Sequence, residues 1–556
     1  MNIKSNTAFP KLTPEQIDML RPFGRVRSVQ VGDILFSEGN RDFAFFVVLT
    51  GAVEVLEGFP RDPHTVTVHE PGEFVGDVDL LTGRASLVTA RVTMAGDVLE
   101  LDTEALRKVV AELPDVSDVL LRAFMARRTL LAGEGYKGIK IIGSRYSPAA
   151  HHLSEFATRN NIPFTWIDLE QDEQAEQLLR RFGVTADATP IVIGRNGEWV
   201  SNPSVPDFAR YMGFKMNEPP GEVHDLVVVG AGPAGLAAAV YAASEGLTTL
   251  VLDSVAAGGQ AGTSSKIENY LGFPTGISGA DLANRALLQA QKFGAVLSVP
   301  RTAVGLRLDD GYRIVTLDDG SEIKALAVLV ASGVEYRRLN LDRLADFEGA
   351  GVYYAASEME AQLCGGDEVV VVGGGNSAGQ AAVFLSHSAH RVHLIIRGDD
   401  LGKSMSRYLV ERVAHTGNIV VHHNTAVTAL DGDGRLSSVT LRDTATNEQA
   451  TVQARALFIF IGAVPHTEWL RDSVRLDRKG FVLTGPALGP EMLDTDLWRS
   501  AGRTPLFLET SLPGVFAAGD ARSGSIKRVA SAVGEGSMAV TFVHTEIGSL
   551  ADRPTA

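Results

Sequence analysis

Gly230, Gly232 and Gly235 stand at the spacing Gly-x-Gly-x-x-Gly, inside Gly230-Ala-Gly232-Pro233-Ala234-Gly235. At that spacing the first glycine permits a tight turn, the second lets backbone approach a pyrophosphate, and the third lets a helix pack closely on a strand. The helix start adds free N–H groups and a positive dipole end for the phosphates. Asp253 follows where an acid can accept hydrogen bonds from ribose hydroxyls. A second turn of the same kind is Gly373-Gly-Gly375-Asn376-Ser377-Ala378, in which Ala378 replaces the third glycine and is still small enough to pack closely. The strand after it ends in Arg397. An arginine there suits the 2′-phosphate of NADP, whereas an acid would suit NAD. The chain has a single cysteine, Cys364, so an internal disulfide is impossible.

These turns need strands before them and helices after them. Leu226 to Val229 is an apolar run short enough for a buried parallel strand, followed by an Ala-rich helical segment and a second run, Thr249 to Leu252. Around the second turn, Glu368 to Val372 and Arg391 to Ile396 read as strands with a helix from Gln380 to His387 between them. The second unit, about residues 337–465, would be inserted into the first, residues 223–336 and 466–550. Gly333-Val-Glu and Gly462-Ala-Val-Pro465 would be the two crossing strands, and relative rotation of the units is expected there.

A chain of 556 residues is too long for one core, and its 45% hydrophobic and 21% charged residues are those of an ordinary globular protein. A net charge of −16 argues against a nucleic-acid partner, which would need a basic face. The opening MNIKSNTAFPKL lacks the apolar stretch of a signal peptide, and the long apolar runs are Gly-rich. No membrane span and a cytoplasmic address are therefore expected.

Residues 10–130 begin with a helix start at Thr13-Pro14-Glu15-Gln16 and continue as short alternating strands with turns, a β-barrel pattern, closed by a helical tail from about Thr103 to Leu131. This segment resembles a cyclic-nucleotide-binding domain, with residues 71–90 at the place of its phosphate-binding cassette. In that family an acid meets the ribose 2′-hydroxyl and an arginine neutralises the cyclic phosphate. Here the acid is Asp77, and the arginine position holds Ser86, with Arg84 two residues upstream. Without the arginine a buried phosphate goes unpaired, so an interaction or regulatory barrel is expected over a cyclic-nucleotide binder. Residues 137–215 read as strands at Gly138 to Gly143, Phe164 to Asp168 and Pro190 to Gly194, with helices at Pro148 to Asn160, Asp172 to Phe182 and Pro206 to Met212. They resemble a thioredoxin or glutaredoxin fold, with Thr189-Pro190 at its cis-proline. Its Cys-x-x-Cys is replaced by Ser144-Arg145-Tyr146-Ser147, which implies a redox-inactive module, a docking or spacer domain or one that still recognises a thiol partner through the groove beside Pro190. Met216 to Glu222 reads as a linker.

Residues 223–550 resemble the low-molecular-weight thioredoxin reductases. The resemblance rests on both glycine turns together with Gly258-Gly259-Gln260, Glu268-Asn269-Tyr270, Ala331-Ser332-Gly333, Gly519-Asp520 and Arg528-Val529-Ala530, in that order. It implies a multidomain flavoprotein: a barrel, a thioredoxin-like α/β module and two dinucleotide-binding α/β units, one for FAD and one for NADP or NAD. The first glycine turn would hold the FAD pyrophosphate and Asp253 its ribose. Gly259, Gln260 and Asn269 would run along the flavin half, with Ser332 and Gly333 at the strand end. Gly519 and Asp520 would hold the ribityl chain, and Arg528, Val529 and Ala530 would lie at the isoalloxazine. Gly373, Gly375, Asn376, Ser377, Ala378 and Arg397 would take the nicotinamide cofactor, and a homodimer is implied. Hydride transfer from nicotinamide to flavin follows. The reductases carry a Cys-x-x-Cys before the second turn; Tyr354-Ala355-Ala356-Ser357-Glu358 stands there, with Ala355 and Glu358 in the thiol positions. Glu358 is a candidate proton donor or acceptor, beside the reading as a solvated helix acid. Electrons would leave FAD directly for an unknown acceptor: a quinone, a metal centre, oxygen or another protein. The alternatives are a sensor or scaffold with little turnover, and a true thioredoxin-disulfide reductase.

Overall fold

The computed structural model describes residues 7–60, 63–133, 139–172, 175, 179–180, 183–185, 188–194, 198–214, 221–264, 266–356 and 358–551. The helix expected from Asp172 to Phe182, the turn at Asn196-Gly197 and the linker after Met216 fall largely outside these residues. Glu358 opens the helix Glu358–Leu363, but its side chain also lies outside the described part.

The N-terminal barrel is two four-stranded antiparallel sheets face to face. Thr13 caps the helix Pro14–Leu20 with its hydroxyl on Gln16 N–H, and Gln16 reaches back to Thr13 N–H. Phe36, Phe45, Phe46, Phe74, Leu99 and Leu101 belong to one buried core, in which Phe45 and Phe74 pack on Phe124 of the helical tail. The tail expected as one helix is two, Thr103–Glu112 and Pro114–Gly133. Pro114 explains the break, since a proline disfavours helical backbone in the residue before it.

The middle module is a four-stranded sheet in the order Thr165–Asp168, Lys140–Gly143, Ile191–Ile193, Trp199–Ser201. The first two strands are parallel and the others antiparallel. The helix Pro148–Arg159 covers it, with Ser147 as N-cap, and the Thr189-Pro190 bond is cis.

In the flavoprotein part the strand Val223–Val229 lies between Thr249–Leu252 and Glu322–Val330, parallel to both. Val515–Ala517 joins the far half of Glu322–Val330 in parallel. The second unit is a five-stranded parallel sheet, Val352–Tyr353, Ala456–Ile459, Glu368–Val372, Arg391–Ile395 and Ile419–His422, with an antiparallel meander beside it. The two units are joined by Val334–Tyr336 and Ala463–Pro465, which pair antiparallel.

Helix packing in the first unit depends on missing side chains. The helix Pro233–Ser244 lies under the C-terminal helix Val529–Ala551. A Cβ at Gly536 would fall 2.0 Å from Ala234 O, and one at Gly235 would fall 1.9 Å from Gly230 O. At the far end of the sheet a buried ion cluster holds the same helix down. Arg313 donates to Glu546 (2.6 Å) and to Pro513 O, and Arg503 donates to both Glu509 and Glu546.

Gly536→Ala replaces a helix-weakening residue and is still expected to destabilise, because the two helices must separate. The expected loss is about 1–3 kcal/mol, seen as a lower urea midpoint of the flavoprotein part.

Candidate functional site

Both glycine turns open on one cavity of about 860 Å3. The first turn is fixed by three constraints. Gly230 has φ 108°, and a Cβ on it would fall 2.2 Å from Ala331 O. Gly232 caps the helix and lies against Gly259, whose own Cβ would fall 2.9 Å from Gly232 Cα. Behind the turn, Asp253 accepts hydrogen bonds from the N–H groups of Ala231 (2.8 Å), Val255 (2.9 Å) and Ala256 (3.0 Å). The acid expected at a ribose is thus also the clamp that shapes the loop around it.

The second turn repeats the design. Gly373 has φ 146°, and a Cβ there would fall 2.3 Å from Phe460 O and 3.1 Å from the methyl of Ala378. The Asn376 side chain accepts from Ser406 N–H (2.7 Å) and Ser404 donates to Gly374 O (2.8 Å), so the loop Leu401–Ser406 is tied to the turn. Arg397 is exposed at the cavity edge with no side-chain hydrogen bond or ion pair to the described residues. Lys403, the other cation near it in sequence, is occupied by Asp399 at 2.5 Å.

Of the residues singled out by sequence, Gly230, Gly232, Pro233, Ala234, Asp253, Gly259, Gln260, Ser332, Gly333, Gly519, Asp520, Arg528 and Val529 line the cavity, as do Gly373, Gly375, Asn376, Ser377 and Arg397. Gly235 and Ala378 stand behind the turns, where they allow close packing. Asn269 is exposed and does not line the cavity, nor does Ala530, which follows Val529 into the helix. Ser332 donates to His466 O (2.7 Å), pinning the two crossing strands together. Asp520 is half-buried, and desolvation raises its pKa; Lys527 donates to Asp520 O (2.5 Å), and desolvation lowers the lysine in turn. Sequence reasoning passed over Lys527, although it adjoins Arg528, and also Tyr336, whose hydroxyl burial pushes up to about 12.

The glycine cradles fit a dinucleotide at each turn: at both first glycines a side chain would collide with the neighbouring strand, and the first N–H groups of each helix have no intrahelical partner. The stretch Tyr354 to Glu358 holds no thiol. Cys364 lies further along the same helical segment, 2% exposed, its thiol pushed up to about 12 by burial. Burial keeps it from solvent, and the chain offers no second thiol for it to pair with. The loop Ser144 to Ser147 sits against this region. Arg435 donates to the Tyr146 hydroxyl (2.6 Å), the His151 ring lies 5.7 Å from Tyr353, and a Cβ at Gly349 would fall 3.3 Å from Pro148 Cα.

The barrel has its own cavity, of about 260 Å3, lined by Phe36, Phe43, Val75, Val88, Asp77, Ser86 and Arg127 among others. Its cation does not await an anion: Arg127 donates to Ala8 O (2.8 Å), Phe74 O (3.1 Å) and Gly76 O. Ser86 donates to Val88 O (2.8 Å). Arg84 turns away to the middle module, where it donates to Asn160 O (2.8 Å) and lies 4.4 Å over the Phe214 ring. Burial beside Asp79 pushes the Asp77 carboxyl up to about 7. These residues do not fit a cyclic phosphate.

Comparison with known proteins covers both ends of the chain. Residues 224–536 match the family described as pyridine nucleotide-disulphide oxidoreductase, and residues 26–112 match the cyclic nucleotide-binding domain. The thioredoxin reductase of Treponema pallidum (strain Nichols) is 34% identical over 328 residues, 59% of this chain and 98% of that protein. That of Streptomyces clavuligerus is 33% identical over 338 residues, 60% of this chain and 96% of that protein. The crystal structure of T. acidophilum thioredoxin reductase superposes with a TM-score of 0.52 at 30% identity, over 58% of this chain and 99% of that one. Among the described residues no helix is long and apolar enough to cross a membrane, and no group of side chains could hold a metal ion.

A protonated Asp77 is easier to bury than an ionised one. The folded pKa near 7 exceeds the ordinary 3.8, so the stability this proton supplies is present at low pH and lost as pH rises from about 4 through 7. Asp77→Asn is expected to flatten that dependence, as read from urea melts at pH 5 and pH 8 beside the unaltered chain.

Proposed function

The chain belongs to the pyridine nucleotide-disulphide oxidoreductase family, and on that premise we propose that it takes electrons from NADPH or NADH into FAD and passes them directly to an acceptor outside the chain. The observation that carries this reading is the pairing of two nucleotide turns on one cavity with the absence of a thiol pair. Disulfide relay through an internal dithiol needs two thiols; the chain has one, buried and protonated.

FAD, when bound, supplies an electron-accepting ring system that no side chain offers. The protein's part is to hold and orient. The turn at Gly230 and the helix start at Pro233 take the diphosphate, and Asp253 keeps that turn closed from behind. Asp520 and Lys527 sit at the other end, where the carboxyl, protonated more readily than an exposed aspartate, can donate as well as accept a hydrogen bond to a hydroxyl. Tyr336 and Phe460, edge to face at 6.2 Å, wall the space between the two turns. Arg397 meets the second nucleotide at its ribose end, where its unpaired guanidinium favours a 2′-phosphate. Glu358, whose side chain lies outside the described residues, stays a candidate for proton exchange on its place in the sequence alone.

Two measurements test the reading. Anaerobic addition of one equivalent of NADPH, or of NADH, is expected to bleach the visible flavin absorption, and a flavin that stays oxidised with both sinks the proposal. Arg397→Gln is expected to raise KM for NADPH roughly tenfold, the worth of one charged hydrogen bond, while KM for NADH stays put.

A further inference from the structure

The flavin cavity has a wall that does not come from the flavoprotein part. Arg159, the last residue of the helix Pro148–Arg159 in the middle module, lines it. Its Nη2 donates to Gly259 O at 3.2 Å, and Gly259 is the residue packed against Gly232 at the heart of the first turn. Its Nη1 reaches Glu155 at 3.4 Å. A guanidinium has five N–H donors, so these contacts leave most of them for the cavity. The side chain is only 19% exposed, which removes much of the competing water.

The neighbouring residues hold the arginine in place. Asn160 donates from Nδ2 to Val255 O (2.9 Å), in the segment that Asp253 clamps, and Asn161 donates to Asn284 (2.8 Å). The helix end is therefore fastened to the flavin unit at three consecutive residues. Among the described residues, the other Lys and Arg side chains lining the cavity stand elsewhere: Arg397 at the second turn, Lys527 and Arg528 at the Asp520 end. A diphosphate carried on the Gly230–Gly235 turn brings negative charge to the one place where Arg159 is the adjacent cation.

We propose that Arg159 is a binding residue for the FAD diphosphate, so that the middle module completes the flavin site. This rests on the flavin reading above. A module without cysteines thereby acquires a chemical role, the delivery of a fixed positive charge across a domain boundary.

The test uses the full chain, freed of flavin, as wild type, Arg159→Gln, Arg159→Lys and, as a control on the same helix, Glu155→Gln. FAD affinity is followed by flavin fluorescence, ADP is used as a competitor carrying the adenosine and diphosphate without the flavin, and riboflavin as the flavin without the diphosphate. Arg159→Gln is expected to weaken FAD and ADP roughly 10- to 100-fold, the range for a charged hydrogen bond. Arg159→Lys should recover part of that loss, Glu155→Gln should lose little, and riboflavin should bind all four alike. Circular-dichroism melts of the flavin-free variants report folding separately. Equal FAD affinity in wild type and Arg159→Gln overturns the inference while leaving the flavin reading intact. So does an equal loss for FAD and riboflavin, which marks a packing role. A wild-type chain that takes no FAD overturns the flavin reading and this inference with it.

Discussion

The absence of a few β-carbons holds the flavin unit together. Strand, turn and two helices approach at Gly230, Gly235 and Gly536 so closely that a methyl group at any of them would strike a backbone oxygen within about 2 Å. That approach sets the helix Pro233–Ser244 with its start facing the cavity, and the remaining parts take their positions from it. Asp253 reaches the N–H group of Ala231 across this turn, and those of Val255 and Ala256 within its own loop. Gly259 meets Gly232 for the same reason, and Arg159 meets Gly259. The ion cluster of Arg313, Arg503, Glu509 and Glu546 is the counterpart at the other end of the C-terminal helix, where charge rather than close approach fixes the distance. Removing one member would strand a buried charge, which is more costly than never having had the cluster.

What sequence could read followed from chemistry that is local. A glycine turn between a strand and a helix carries its own signature, and both turns open on the cavity. Thr13 and Gln16 announce a capped helix within a few residues. Asp253 was legible as an acid at the right distance, but its three backbone donors were not, because they depend on how the following loop folds back. Asn269 was placed by order along the chain, and order alone does not put an exposed loop residue on a cavity. The single helix expected after Thr103 ignored Pro114. Arg159 was out of reach altogether: it lies 100 residues from its partner Gly259, in another module, on a helix whose own pattern is that of ordinary packing.

The barrel shows how a charge can change employment. Arg84 lies in the cassette stretch, yet its guanidinium is spent on Asn160 O and the face of Phe214. Its burial lowers its pKa to about 10, and with Asp79 near it the guanidinium takes a carbonyl and a ring face as direct partners. The same residue pair, Arg159 and Asn160, therefore receives the barrel on one side and reaches the flavin unit on the other. Leu288, from the helix Gly279–Lys292 of the flavin unit, adds an apolar contact by packing into the barrel core.

The middle module also touches both units that flank the crossing strands. Two antiparallel strands, Val334–Tyr336 and Ala463–Pro465, make a joint with one soft axis. A body fastened on both sides of such a joint converts it from an open chain of links into a closed loop, and a closed loop turns only if a fastening lets go. The two sides are unequal. Among the described residues, on the flavin side Arg159, Asn160 and Asn161 donate three hydrogen bonds and Asn161 accepts a fourth from Asn284, while on the other side Arg435 makes one, beside the contact of Pro148 with Gly349 and of His151 with Tyr353. The unit carrying the second turn thus has the fewer fastenings to the module, Tyr146 chief among them, and a direct bridge from Arg412 to Glu268 at 2.7 Å ties it to the flavin unit. Were the joint to turn, a module bonded to Gly259 and Val255 would travel with the first glycine turn, and the cavity would open at the nicotinamide side while the diphosphate end stayed shut.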